Sequence, residues 1–227
     1  MKATLRYLAG IAGPSGFGSN STAEQVTQDF SSLLPSNLTA LITGHFLLTK
    51  MLVEKMIDTA KKSGIEGRII NVSSVIHSWV KRSTFCFNDM LCGKNYNGTR
   101  AYAQSKLATI LHVKEVARQL KERNNAKVTI NAVHPGIVKT GIIRAHKGLI
   151  TDSLFFIASK LLKSISQGAS TTCYVALSRK TEGVSGKYFT DCNESNCSSL
   201  ANEESEAIKL WNDTYALLHK RLRQATN

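Results

Sequence analysis

Tyr102 and Lys106 stand four residues apart in the segment RAYAQSKLATILHVKEVARQL. On a helix that spacing places a phenol and an ammonium on one face, one turn apart. A cation beside a phenol favours the phenolate, the form that takes up a proton and returns it. Upstream runs GRIINVSS, an apolar stretch ending in Ser73 and Ser74. Downstream runs KVTINAVHPGIVKT, a second apolar stretch broken at Pro135 and Gly136. Each piece alone has a plain reading: a half-buried helix tyrosine, a solvated lysine, a serine at a strand end, an ordinary turn. Their order is what carries information: hydroxyl at a strand end, Tyr/Lys pair on the next helix, Pro-Gly turn after the next strand.

The elements that must position these groups follow from hydrophobic period. Phe46, Leu47, Met51, Leu52 and Met56 recur on one face, which predicts a helix from about residue 45 that stops before the C-cap candidate Gly64. Residues 68–73 are apolar and rich in β-branched side chains, the pattern of a buried parallel strand. A helix over 100–124, a strand over 128–133 ended by Pro135, and a loop over 137–148 come next. Helices near 151–164 and 167–178, a short strand over 187–190 and an amphipathic helix over 203–222 complete the domain. Residues 1–37, with GIAGPSGFGSNST at their centre, read as a flexible arm or a transit segment. The domain is expected over 38–223, with a tail at 224–227.

Taken in order, GHFLLTKMLVEKM, GRIINVSS, AYAQSKLA, NAVHPGIVKT, QGASTTCYVAL and GVSGKYFTDCNE resemble the short-chain dehydrogenase/reductase family. The likeness is to its plant branch, near the retinol dehydrogenases and the short-chain dehydrogenase of the chloroplast inner-envelope translocon. It runs from about residue 44 to residue 222. The resemblance implies an α/β fold of Rossmann type, a doubly wound parallel sheet, and an NADP(H)-dependent oxidoreductase acting on a small apolar carbonyl or alcohol such as a retinoid, steroid or lipid aldehyde. Tyr102 would be the proton donor. Lys106 would assist it and bind the nicotinamide ribose, and Ser74 would polarise the carbonyl. Pro135, Gly136, Ile137 and Thr140 match the turn at the nicotinamide carboxamide, and Asn71 opens the NVSS strand end. Residues 79–99, with Phe85 and Phe87, would either shape the substrate pocket or cover the sheet as a surface loop. In the family the helices matching 45–62 and 100–122 commonly build a dimer.

One part of the family pattern is missing. Its dinucleotide is held by a glycine-rich turn between the first strand and a helix, because only glycines allow the tight turn and the close approach to the diphosphate. The expected first strand is 38–42, with Thr43 and Gly44 opening the cofactor turn; His45-Phe46-Leu47-Leu48-Thr49-Lys50, which belongs much later in the family fold, follows at once. The first strand is therefore expected to be spliced onto the second half of the domain, with roughly 90–100 residues absent at ~30 residues per crossover unit. Leu41 stands where the family carries a catalytic asparagine. The sheet is expected to be incomplete, and activity impaired; the alternative is a non-catalytic isoform that pairs with a full-length subunit.

Composition narrows the classes. Of 227 residues, 42% are hydrophobic, enough for a packed core. Net charge is +13, read here as solvated lysines on helix faces, since no aromatic-basic pattern of a nucleic-acid binder accompanies it. The basic helix over 203–223, with Trp211, leaves room for a calmodulin-type partner, against the plainer reading that it docks on its own core. Five cysteines lack metal-ligand spacing and read as free thiols in a reducing compartment, so no metal site is expected. No apolar run reaches a membrane span; cytoplasm or chloroplast, not secretion, is the expected location.

Overall fold

The computed structural model describes residues 37–85, 87, 97–123, 126–138 and 163–225. The described residues open with helix α1, Asn37–Ser63. This corrects the strand expected over 38–42: LTALI runs straight into the helix, and Thr43 and Gly44 lie in its interior. An apolar run of that length is ambiguous between strand and helix, and Gly44 costs a helix only ~1 kcal/mol without ending it. Termination comes at Gly64, whose φ of +72° no β-carbon opposes and whose N–H donates to Ala60 O at 2.9 Å.

Strand β1, Gly67–Val72, then pairs in parallel with β2, Val128–His134, and β2 with β3, Tyr188–Thr190. Helix α2, Gly98–Glu122, makes the crossover between β1 and β2, and helix α3, Ile165–Leu177, lies between β2 and β3. Strand β4, Asn193–Ser195, returns antiparallel to β3, giving sheet order β1-β2-β3-β4. That hairpin was not legible in the sequence: its two-residue turn is Asp191-Cys192, both at positive φ (51° and 61°), where Asn-Gly would have been the signal. Helix α4, Glu204–Ala225, closes the described chain.

Helices cover both sheet faces. On one, α2 packs with α1 and α4 through Ile57, Ala60, Leu107, Ile110, Leu111, Val113, Ala207 and Leu210, against Val128, Ile130 and Ala132 of β2. On the other, Val175 of α3 meets Val133, Phe189 and Ile70. β2 is buried along its length up to His134, as a parallel strand roofed on both sides must be. The α/β class and the incomplete parallel sheet therefore stand, with three parallel strands of the second half. The helix expected near 151–164, up to residue 162, most of the 137–148 loop, and Cys86 and Cys92 lie outside the described residues; Cys173, Cys192 and Cys197 are free thiols.

Two further features bear on the site. Arg68 leaves β1 toward the end of α3, where Nη1 donates to Val175 O, Ala176 O and Ser178 O at 3.2, 3.3 and 2.7 Å and to Thr181 Oγ1 at 2.9 Å. A helix end leaves its last carbonyls without partners and bears partial negative charge, so one guanidinium answers both needs. The N–H groups of Gly67 and Ser73 point to the β2 side, toward Lys127 O and Val133 O. By alternation, the backbone groups of Arg68, Ile70 and Val72 face the other way. Among the described residues no strand lies there.

Candidate active site

Helix α2 starts where Asn97 Oδ1 accepts the Arg100 N–H at 2.9 Å. Its first turns run past the carboxyl end of β1. Ser73 Oγ donates to Lys106 O at 2.8 Å, and Lys106 Nζ donates to Val72 O at 3.0 Å. These two bonds bring the serine pair and the lysine together at one strand end. The Lys106 ammonium also lies 5.5 Å from the centroid of the Tyr102 ring, on the shared face that the spacing implied. Burial pushes the Lys106 pKa down, because the low-dielectric surroundings disfavour its charge. Tyr102 itself is 48% exposed.

Ser74 follows β1 with extended backbone (φ −157°, ψ 155°) and caps the 3-10 turn Val75–Trp79. Its Oγ accepts only a long 3.4 Å bond from Ile76 N–H, which leaves the hydroxyl proton to give. Its carbonyl is held more firmly, by His77 N–H at 3.2 Å and by the His77 ring at 2.6 Å.

The turn after β2 sits beside this group, because Val72 and Val133 are in register and Ser73 N–H donates to Val133 O at 2.8 Å. Gly136 has φ +85°, and a β-carbon there would lie 2.6 Å from Lys163 Cδ. Lys163 closes the turn from outside: its N–H donates to Ile137 O at 2.9 Å and its ammonium pairs with Asp191, whose carboxyl is held below its ordinary range chiefly by that bond. Ile137 is exposed. Asn71 is buried at the end of β1, and its Nδ2 has no hydrogen-bond partner among the described residues.

Of the residues singled out from sequence, the structure gathers Ser74, Tyr102, Lys106, Asn71, Pro135, Gly136 and Ile137 at the carboxyl ends of β1 and β2. Thr140 lies outside the described residues. Thr43 and Gly44 are corrected: they form no cofactor turn. Inside a helix their N–H groups are engaged with the preceding turn and cannot face a diphosphate. Sequence reasoning gave Ser73 no role of its own and missed His77 and Lys163. Only a histidine three residues after Ser74 could have drawn attention, and that is a weak signal.

The arrangement places a phenol and an ammonium on the helix that passes the strand end where the Ser74 hydroxyl stands. Such a set can polarise a carbonyl and deliver a proton to its oxygen. A nicotinamide dinucleotide fits at one end only. Lys106 and the Pro135–Ile137 turn can meet the nicotinamide and its ribose, but the described residues offer no glycine-rich turn for the diphosphate.

No protein-family model matches the chain. It is similar to the short-chain dehydrogenase TIC 32 B, chloroplastic, of Brassica napus, at 45% identity over 175 residues, 77% of this chain and 54% of that one. It is also similar to retinol dehydrogenase 14 of Homo sapiens, at 41% identity over 170 residues, 74% of this chain and 47% of that one. Among solved structures, a putative uncharacterized protein from Mycobacterium Paratuberculosis superposes with a TM-score of 0.54 at 23% identity, covering 77% of this chain and 55% of that one, a likeness of fold.

Proposed function

We propose, starting from the fact that this chain belongs to the short-chain dehydrogenase/reductase family and spans about half the length of the curated relatives it matches, that it is a carbonyl/alcohol oxidoreductase with weakened cofactor binding. The observation that carries this reading is that Lys106 reaches back to the carboxyl end of β1, where Ser74 follows Ser73, and lies beside the Tyr102 ring. Ser74 Oγ–H donates to the substrate carbonyl oxygen and holds it. Tyr102 gives its phenolic proton to the same oxygen during reduction and takes it back in the reverse direction. Lys106 favours the phenolate by its charge, and to do so it must turn its ammonium from Val72 O toward the ring and the nicotinamide ribose. NADP(H), the cofactor implied by family, supplies or accepts the hydride when bound.

The described residues offer no diphosphate cradle, and that sets the size of the defect. Losing three charge-assisted backbone hydrogen bonds at about 1.5 kcal/mol each weakens cofactor binding about a thousandfold. The purified chain is therefore expected to reduce retinaldehyde or nonanal slowly, with a rate that keeps rising as NADPH goes from micromolar to millimolar. Absence of turnover across that whole range refutes the reading. Retinaldehyde is chosen because relatives are named retinol dehydrogenases. The chloroplastic names of two relatives support a plastid location, to be checked with a fluorescent fusion. No described helix is long and apolar enough to cross a membrane.

The open flank of the domain favours a second reading, association with a partner subunit. Val72 is exposed at the outer edge of β1, and α1 exposes Leu48 and Met51. A parallel strand is rarely stable with a bare edge, and exposed apolar helix surface invites a second chain. Of the two helices implicated by resemblance, α1 presents this surface, while α2 is buried through most of its length. Light scattering decides: a monomer at micromolar concentration, unchanged by Leu48→Glu with Met51→Glu, rules the reading out for self-association.

A further inference from the structure

We propose that His77 is the positioning residue for Ser74: a neutral imidazole, protonated on Nδ1, that fixes the Ser74 carbonyl and so aims the Ser74 hydroxyl at the substrate oxygen. The proposal rests on the reading of Ser74 given above. Its geometric basis is independent of that reading.

The ring's two nitrogens have separate, incompatible tasks, and that sets the tautomer. Ser198 N–H donates to Nε2 at 3.1 Å, so Nε2 carries a lone pair. A ring that accepts at Nε2 is neutral and bears its single proton on Nδ1. The 2.6 Å contact between Nδ1 and Ser74 O is therefore an N–H···O bond. The ring is 2% exposed and stands edge-on to Tyr188 of β3, with centroids 5.1 Å apart and planes at 65°. It cannot swing away without breaking all three contacts. One imidazole thus ties the loop after β1 to β3 and to the segment that precedes the 3-10 turn Leu200–Asn202.

Ser74 needs such a tether. Its side chain has only the long bond from Ile76 N–H, so nothing on the hydroxyl itself fixes its direction. Direction must come from the backbone, and two of the bonds that hold the Ser74 carbonyl come from His77. A displaced hydroxyl still leaves room for substrate but meets the carbonyl oxygen at the wrong angle, so the cost falls on turnover more than on binding.

Two variants separate positioning from mere packing. In His77→Asn the carboxamide lies where Nδ1 lay and still donates to Ser74 O, while the Ser198 bond is lost. In His77→Gln the carboxamide reaches the Nε2 position and still accepts from Ser198 N–H, while the side-chain bond to Ser74 O is lost and only the backbone bond remains. Both remove the ring from Tyr188, so a packing role would affect them alike. The expected result is that His77→Asn keeps the wild-type kcat within about threefold, whereas His77→Gln loses about tenfold to a hundredfold in kcat with KM nearly unchanged. Amide hydrogen exchange at Ile76 should quicken in His77→Gln and not in His77→Asn. Imidazole 15N spectra of the wild-type chain should show Nδ1 protonated and Nε2 bare. An Nε2-protonated ring overturns the proposal, as does equal behaviour of the two variants in exchange. Equal kcat values overturn it too. If the wild-type chain shows no turnover at all, the function proposed above fails, and the spectra and exchange rates still decide whether His77 tethers Ser74.

Discussion

Acid should weaken this protein through one buried ring. His112, on α2, is enclosed by α1 and α4: Nε2 lies 3.2 Å from Thr49 Oγ1, and the ring stacks on Trp211 with centroids 5.8 Å apart and planes at 15°. Burial, and secondarily the nearby His45 charge, pull its pKa from 6.5 to about 4. Between those values the unfolded chain binds a proton that the folded chain refuses. Stability is therefore full above pH 6.5, declines as pH falls toward 4, and loses nothing more from this group below that. A displacement of that size corresponds to about 3 kcal/mol, a large share of the ~5–15 kcal/mol that holds a domain together. Burial also lowers the pKa values of His77 and His134, so the wild-type curve alone is not diagnostic. His112→Phe isolates the effect: it leaves Thr49 Oγ1 unpaired at a cost of ~1 kcal/mol and has nothing to titrate. Urea unfolding followed by Trp211 fluorescence, from pH 7 to pH 4, should show the wild type losing about 3 kcal/mol more than the variant. Parallel pH curves for the two proteins refute the reasoning.

Three other outcomes can be checked separately. Tyr102→Phe should lower kcat by about 10²–10⁴-fold while changing unfolding free energy by less than ~0.5 kcal/mol, because the ring is half exposed; steady-state rates and urea titration report both. Arg68→Met should cost ~2–4 kcal/mol in urea unfolding, since Val175, Ala176 and Ser178 lose the cation that holds their carbonyls and Glu66 loses its partner. Cys192→Gly should raise the Tm, with a gain of ~0.5–1 kcal/mol, by relieving an L-residue at φ 61°; a lower Tm contradicts the strain assigned to that turn.

Much of the scaffold was legible in the amino-acid sequence. Residues 100–124 read as a helix because their apolar period is long and unbroken, and α2 spans Gly98–Glu122. Residues 68–73 and 128–133 read as strands because their side chains are β-branched and their ends are punctuated, and β1 and β2 lie there. The opposite outcome at residues 38–42 has a clear reason. LTALI is apolar enough for a buried strand, and its resemblance-based placement assumed a sheet position beside the parallel strands. The chain supplies no crossover to reach that position, and the apolar residues beyond Gly44 continue the helical face.

The sequence by itself determined which groups could do chemistry and that Tyr102 and Lys106 would share a helix face, because a 3.6-residue period is a local property of the backbone. It also raised the expectation that a nucleotide turn is missing, since that turn requires glycines at particular positions. Only the tertiary structure decided that Lys106 rests on Val72 O, that Lys163 closes over Gly136, and that His77 joins Ser74 to Ser198, which lies 121 residues beyond His77. Those contacts join segments far apart in sequence, and no local preference encodes which distant carbonyl or N–H will lie within reach once the sheet has formed.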